Sequence, residues 1–323
     1  MIRTMNQPAR IALIGAGLMG SLHARVITQS RDADLSCIVD PDSGSGQALA
    51  DRFNSRWVPK LDDLGPFDAV VIATPTSMHL DWGLAALSAG KPVLVEKPIS
   101  ENMAETKLLV DTARRSGVPL TCGLLERFNP AVLTALEIVD QPIHVTAVRH
   151  SPYVPRIPTG VAHDLLIHDV DLVLRLATSP LVRLEAAFGR SHPKSEPETE
   201  DVAEVSLVFD NGMLAGLSAS RVSQRKQRVI EIAEVERLVE IDLVRQDVTV
   251  YRHVDADFLE GGYRQQTVID IPAITNAREP LAAQLDHFLA IIRGEADAEA
   301  ELASLLPAHE VVERLVESAR RDT

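Results

Sequence analysis

Between Arg10 and Thr121 short β-rich runs alternate with helical stretches, and few folds accept that order. "RIALIGAG" is a strand running into a glycine turn, "LMGSLHARVITQS" has helical spacing, and "LSCIVD" returns to a strand. "SGQALADRF" reads as a short helix, "FDAVVIATP" as a third strand and "SMHLDWGLAALSAG" as a helix ended by Gly90. "PVLVEK" is a fourth strand. "NMAETKLLVDTARRSG" is a helix opened by Asn102 or nearby Ser100 and stopped by Gly117, and "VPLTCGL" is a fifth strand. Strands alternating with helices predict a parallel sheet covered on both faces.

After about residue 140 the texture changes. "IHVTAVRHS", "LVRLEAAFGRS", "VAEVSLVFDNGMLAGLSASRV", "QRVIEIAEVERLVEIDLVRQDVTVYRH" and "QQTVIDIP" supply six or more strands, with a hairpin signal in "DNG" at 210–212. One helix is expected near 161–177, and closing helices at about 280–293 and 304–321. The polar stretch "SHPKSEPETED" (191–201) reads as a loop with room to cover a site. A chain of 323 residues is two domains at roughly 150 residues each. The expected fold is α/β: an N-terminal doubly wound parallel sheet of Rossmann type over 1–122, then an α+β domain over 123–323 with a large open, mostly antiparallel sheet. A cleft between the two is the expected ligand site.

Composition narrows the function classes. A net charge of −14 argues against non-specific nucleic-acid binding, and 46% apolar with 24% charged residues is ordinary for a globular core. Cys37 and Cys122 are too far apart for a CxxC motif and sit in apolar, strand-like runs, as free thiols of a reducing compartment do. The first residues lack an apolar signal-peptide core and no run approaches 18 apolar residues, so a cytoplasmic protein with no membrane partner is expected.

"GAGLMG" is G-x-G-x-x-G, placed after a strand and opening a helix, the context that a dinucleotide fingerprint requires. Gly15 permits the tight turn, Gly17 lets backbone approach a pyrophosphate, and Gly20 lets helix and strand pack closely, with Leu18 and Met19 between. The helix start offers free N–H groups to a phosphate. Asp40 ends the second strand 20 residues beyond Gly20, where a carboxylate accepts from ribose hydroxyls and repels a 2′-phosphate. NAD is therefore expected over NADP, although Asp40 also suits the start of the "DPDSG" turn. Thr74 and Pro75 leave the third strand at its carboxyl edge, where ligands sit in open α/β sheets. His79 follows; a plain helix-start histidine is the competing reading.

"EKP" ends the fourth strand on that same edge, placing Glu96 and Lys97 beside the cofactor. A residue before proline is confined to extended backbone, so Lys97 is held and its ammonium aimed. A fixed cation there can bind a substrate hydroxyl and stabilise the alkoxide that develops as hydride leaves. In "HDLLIHDVDL" (163–172), Asp164 and His168 are four apart and share a helix face, the arrangement of a general base and its orienting carboxylate. Asp171 lies near the same face and is a rival helper. His163 and His168 point about 140° apart on a helix, so no metal site is expected.

In this order and spacing, "GAGLMG", "TPTSMH", "EKP", "ERFNP" (126–130), "DLLIH" and the closing "PLAAQLDHFLAIIRGE" resemble the Gfo/Idh/MocA family of NAD(P)-dependent oxidoreductases over nearly the whole chain. The resemblance implies a Rossmann domain followed by an α+β domain whose last helix returns to the first. It maps the family's EKP lysine onto Lys97 and its D-x-x-x-H pair onto Asp164 and His168, with the histidine as acid/base. It also makes Arg127 a cofactor or substrate neighbour. "LLERFNPAV", "VPRI" and "DLLIHDVDL" are similar to UDP-N-acetylglucosamine 3-dehydrogenases and related nucleotide-sugar oxidoreductases, which implies hydride removal from C3 of a nucleotide-linked sugar. The chain departs from the family in "TGVAHD", where His163 stands in place of a small residue. Arg149, Arg156 and Arg190 are candidates for a diphosphate, with solvated surface arginines as the competing reading. The alternatives are an inositol or free-sugar dehydrogenase, a keto-sugar reductase, or a non-catalytic NAD-bound sensor. A homodimer or homotetramer is expected, because the open sheet has a face to bury.

Overall fold

A computed structural model describes residues 7–60, 66–155, 159–196, 199–259 and 262–321, which form two compact units. The first comprises the chain to Leu125 together with Leu281–His309. Its elements are β1 (Ala9–Ile14), α1 (Leu18–Gln29), β2 (Ala33–Val39), α2 (Ser43–Arg52), β3 (Trp57–Val58) and β4 (Ala69–Ile72). Then follow α3 (His79–Ser88), β5 (Val93–Val95), α4 (Met103–Ser116) and β6 (Leu120–Cys122). All strand pairs are parallel, in the order β3-β2-β1-β4-β5-β6. That is the doubly wound dinucleotide order, with its reversal between β1 and β4.

The strands are apolar on both faces because helices cover both. β4 (Ala69 to Ile72) and β5 (Val93 to Val95) are 0–1% exposed throughout. Helix α4 begins where Asn102 accepts the Glu105 N–H and ends at Gly117, whose φ of +66° suits a residue without Cβ. Helix α7 (Pro280–Arg293) lays Leu281, Leu285, Phe288 and Leu289 into the same core as Ile11, Leu13 and Ile27. Their spacing of four, three and one puts them on one stripe, and each such burial contributes about 1.5–3 kcal/mol. Helix α8 (Ala298–Ala303) and the first turn of α9 (Leu306–Arg321) complete this unit. The compact units therefore differ from a single division at 122/123: the apolar stripe of α7 finds its partners in the N-terminal sheet.

The second unit runs from Glu126 to Pro280 and takes up Glu310–Thr323. It contains α5 (Pro130–Ile138), β7 (His144–His150), a π turn at Ala162–Leu166 leading into α6 (Ile167–Leu176), β8 (Leu181–Gly189) and β9 (Val202–Phe209). These are followed by β10 (Leu214–Ser220), β11 (Gln227–Ala233), β12 (Arg237–Asp242), β13 (Asp247–Leu259) and β14 (Gly262–Asp270). The sheet order is β14-β13-β12-β11-β7-β10-β9-β8, antiparallel throughout except between β7 and β10. One face carries Val145, Ala147, Ala203, Leu207, Leu217, Ile230, Ile232, Val239 and Ile241, all buried. Helix α5 packs on β12 and β13, and the π turn with α6 packs on β7 and β10.

Candidate active site

At the end of β1 the glycine turn has the shape the sequence predicts. Gly15 has φ +102°, and a Cβ there would strike the Ala73 carbonyl; a Cβ on Gly20 would strike the Gly15 carbonyl. A Cβ on Gly17 meets open space, so the backbone at the head of α1 lies bare. Leu18 is exposed there, while Met19 packs on the core. Asp40 leaves β2 alongside: its Oδ2 accepts the Ala16 N–H at 2.7 Å and its Oδ1 the Asp42 N–H at 2.8 Å. The carboxylate is half-exposed and tied to both the turn and the start of α2. Across the sheet reversal, Thr74 Oγ1 is buried without a hydrogen-bond partner among the described residues, beside exposed Pro75. An open cradle, a fixed carboxylate and an orphaned hydroxyl on one sheet edge fit a dinucleotide.

The "EKP" segment follows β5 on that edge. Lys97 is half-buried, whereas Glu96, Pro98, Ile99 and Ser100 around it are buried, and the Lys97–Pro98 peptide is cis. Glu96, expected beside the cofactor, is only 8% exposed and its Oε1 accepts from His23 Nε2 at 2.7 Å. A Cβ on Gly123 would lie 2.6 Å from Glu96 Oε2, so the opposite wall is backbone. His79, also expected beside the cofactor, is 1% exposed, with Nδ1 2.9 Å from the Pro98 carbonyl and Nε2 3.0 Å from that of Thr74. Their side chains present almost no surface to a ligand; they support the turn. The sequence reading did not single out His23.

In the second unit, Asp164 and His168 are half-exposed among buried Leu165, Leu166, Ile167 and Asp169. They straddle the junction of the π turn and α6. A π turn holds more than 3.6 residues, so four residues there come close to one full turn. Both groups therefore stay on one stripe. The turn is capped by Glu200, whose carbonyl accepts the Val161 N–H and whose Oε1 accepts the Ala162 N–H at 3.0 Å. A Cβ on Gly160 would collide with that carboxylate, which explains the glycine in "TGVAHD". His163 Nε2 lies 3.7 Å from Glu313 Oε2. Among the described residues no three His, Cys, Asp or Glu side chains cluster as metal ligands.

Behind this stripe lies a buried set of charges. Arg149 is 1% exposed and donates to Asp169 and Glu126 at 2.7–3.0 Å. Burial alone would lower its pKa; the two carboxylates outweigh that and raise it. Burial pushes Asp169 up despite Arg149, whereas Arg149 and Arg228 outweigh burial at Glu126 and bring it down. Arg127 is 7% exposed and bonds Asp171, and Asn129 caps α5 by accepting the Ala131 N–H. "ERFNP" is thus an anchor of the second unit. Two N–H groups of Arg127 are taken by Asp171, and Arg149 is buried among carboxylates. Arg190 is exposed, and Arg156 lies outside the described residues.

In the described part of the loop, residues 191–196 and 199–201, the organising side chain is Asp201. It accepts from Ser191 N, His192 N, Ser195 Oγ and Arg221 Nε at 2.5–2.8 Å, and Arg221 also donates to the Thr159 carbonyl. Tyr153 stacks on His192 at 3.6 Å between centroids.

Residues 9–124 match the oxidoreductase family with an NAD-binding Rossmann fold, Gfo/Idh/MocA, and residues 141–235 match the Gfo/Idh/MocA C-terminal domain. The chain is 30% identical over 285 residues to UDP-N-acetylglucosamine 3-dehydrogenase of Acidithiobacillus ferrooxidans, covering 87% of each. The chain belongs to the Gfo/Idh/MocA oxidoreductases. It is also 27% identical over 312 residues to scyllo-inositol 2-dehydrogenase (NAD(+)) of Bacillus subtilis, covering 90% of this chain and 87% of that one. The solved structure of the Acidithiobacillus enzyme superposes with a TM-score of 0.84 at 26% identity, over 97% of this chain and 98% of the other. In this Gfo/Idh/MocA member the first unit is the NAD-binding Rossmann domain, and the second carries the open antiparallel sheet.

Proposed function

We propose that this oxidoreductase oxidises a ring hydroxyl of a sugar or polyol, and specifically C3 of a nucleotide-linked sugar such as UDP-N-acetylglucosamine. The observation that carries the reading is similarity to UDP-N-acetylglucosamine 3-dehydrogenase over nearly the full length, in sequence and in fold. Bound NAD supplies the hydride acceptor. His168 takes the proton of the substrate hydroxyl, and Asp164 orients its ring and stabilises the imidazolium. Lys97 stabilises the oxygen as negative charge develops on it. Gly15, Gly17 and Gly20 with Leu18 and Met19 cradle the pyrophosphate, Asp40 holds the adenine ribose and excludes a 2′-phosphate, and Thr74 and Pro75 border the nicotinamide half.

One observation favours a second reading. Arg149, a candidate grip for a diphosphate, is buried in an internal ion cluster. An inositol or free sugar needs no such grip, and relatives named inositol dehydrogenases match the chain as well.

The test follows absorbance of reduced nicotinamide with NAD and UDP-N-acetylglucosamine, other UDP- and dTDP-sugars, myo- and scyllo-inositol, and free hexoses. Turnover confined to nucleotide sugars supports the first reading, and turnover confined to inositols replaces it with the second. Silence across the panel with NAD bound points to a non-catalytic sensor. His168→Ala is expected to abolish turnover while NAD affinity stays nearly unchanged; equal loss of both removes the proton-transfer role.

A further inference from the structure

The turn that carries Lys97 is gripped at residue after residue by histidines from distant parts of the chain. His23, on α1, donates from Nε2 to Glu96 Oε1 at 2.7 Å. His79, at the start of α3, contacts the Pro98 carbonyl at 2.9 Å through Nδ1. His309, in the first turn of α9, lies 3.3 Å from the Ile99 N–H through Nε2 and 2.7 Å from the Leu305 carbonyl through Nδ1. These three imidazoles are 1%, 1% and 4% exposed.

The partners fix the role of His309. A backbone N–H only donates, so Nε2 accepts from Ile99; the proton is then on Nδ1 and donated to Leu305. The ring is a neutral bridge with one direction, from the turn to the helix. Around it the turn has little freedom: Glu96 N–H continues the sheet ladder to the Ile72 carbonyl, and Gly123 leaves no room behind Glu96. Between these fixed points only Lys97 is half-buried. An ammonium that meets a developing oxyanion has to be placed to within a fraction of an ångström, and a misplacement of about 1 Å can lower a rate about a hundredfold.

We propose that His309 is a positioning residue for Lys97, acting with His23 and His79 to fix the turn on both sides of the lysine. This rests on the catalytic role of Lys97 proposed above, and the two are separable by experiment. Lys97→Met with kcat unchanged would remove the role of the lysine, whatever His309 does. For His309, two amides divide the ring's functions. His309→Asn places its amide where Nδ1 stood and falls short of Ile99, whereas His309→Gln places it where Nε2 stood and still accepts the Ile99 N–H.

With the sugar or polyol that supports turnover, His309→Asn is expected to lower kcat about tenfold or more, with KM and NAD affinity within about twofold. His309→Gln is expected to stay within about threefold of the parent kcat. In a Lys97→Met background His309→Asn is expected to add nothing. Equal behaviour of the Asn and Gln variants, or losses that multiply with Lys97→Met, would overturn the proposal. A readout on the unaltered holoenzyme does not depend on how the variants fold. The Ile99 amide is expected to exchange with deuterium far more slowly than an open loop amide, and fast exchange overturns the bond on which the positioning rests.

Discussion

Arg127 and Asp171 form a two-point ion pair, Nε to Oδ2 at 2.7 Å and Nη2 to Oδ1 at 2.6 Å, with both side chains almost out of solvent. This commits Asp171, the rival helper for His168 in the sequence, to another partner. Asp164 remains as the carboxylate on the His168 stripe. The two acids therefore separate by experiment. Asp171→Asn takes the negative charge out of a buried ion pair and is expected to cost about 3 kcal/mol of stability with kcat retained. Asp164→Asn, at a half-exposed position, is expected to leave stability nearly unchanged and lower kcat about a hundredfold. Urea unfolding and turnover, measured on both variants, check the pair.

Arg149 is a buried charge of the second unit, held by Asp169 and Glu126. Arg149→Met leaves two buried carboxylates short of their counter-charge, and Asp169 is already pushed up by burial. Loss of about 3–5 kcal/mol is expected, read as a lower guanidinium midpoint. Replacing Arg190, which is exposed, is expected to change stability by less than about 0.5 kcal/mol.

Asp201 gives a pH dependence of definite sign. Burial would raise its pKa, but the Ser195 hydroxyl, the His192 and Ser191 N–H groups and Arg221 outweigh that and hold it well below the usual carboxylate range. A depressed native pKa adds stability above the unfolded value of about 3.9 and loses it as pH falls toward the native value. The stability gap between the parent protein and Asp201→Asn is therefore expected to be full at pH 6 and to shrink below about pH 4. Urea midpoints across that range measure it; a gap that widens on acidification contradicts the assignment.

Cys37 is 0% exposed, and burial pushes its thiol up to about 11. At pH 8 it is protonated and covered. With Cys122 also buried, a thiol-specific reagent is expected to find neither in the native protein and both after unfolding.

Much of this was legible in the sequence because local rules and tertiary demands agree. "GAGLMG" is a turn that only glycine can make at Gly15, and Asn102 and Gly117 bound α4 as cap chemistry requires. The alternation of the later strands foretells one buried and one open face. What the sequence hid is mostly pairing at a distance. β3 is two residues long, Trp57–Val58, too short for any periodicity, and is recognised only by its register on Ile38 and Val39. The helix at 161–177 opens as a π turn, capped by Glu200, which lies against Gly160 although the two are far apart in sequence. Arg127 and Arg149 read as ligand groups since nothing local names Asp171 or Asp169 as their partners. His23 and His309 carry no motif of their own; only the fold brings them to the Lys97 turn.

Asp40, proposed above to hold the adenine ribose, is tied to the glycine turn. Its Oδ2 is fixed by the Ala16 N–H and its Oδ1 by the Asp42 N–H, so the carboxylate cannot swing aside for a second phosphate. Each oxygen keeps a further lone pair with which to accept from a ribose hydroxyl. A 2′-phosphate brought to the same place meets a fixed negative charge, and even one tenfold step in affinity corresponds to only about 1.4 kcal/mol. Asp40→Ala removes the repulsion and the ribose acceptor together. NAD is then expected to bind more weakly and NADP more tightly, so that the ratio of kcat/KM for NADP over NAD rises about tenfold or more. The Ala16 N–H loses its partner in this variant, so Asp40→Asn, which retains an acceptor there, separates charge from turn geometry. If the ratio rises with Asn as well, charge decides the preference; a ratio unchanged in both variants places cofactor selection elsewhere than Asp40.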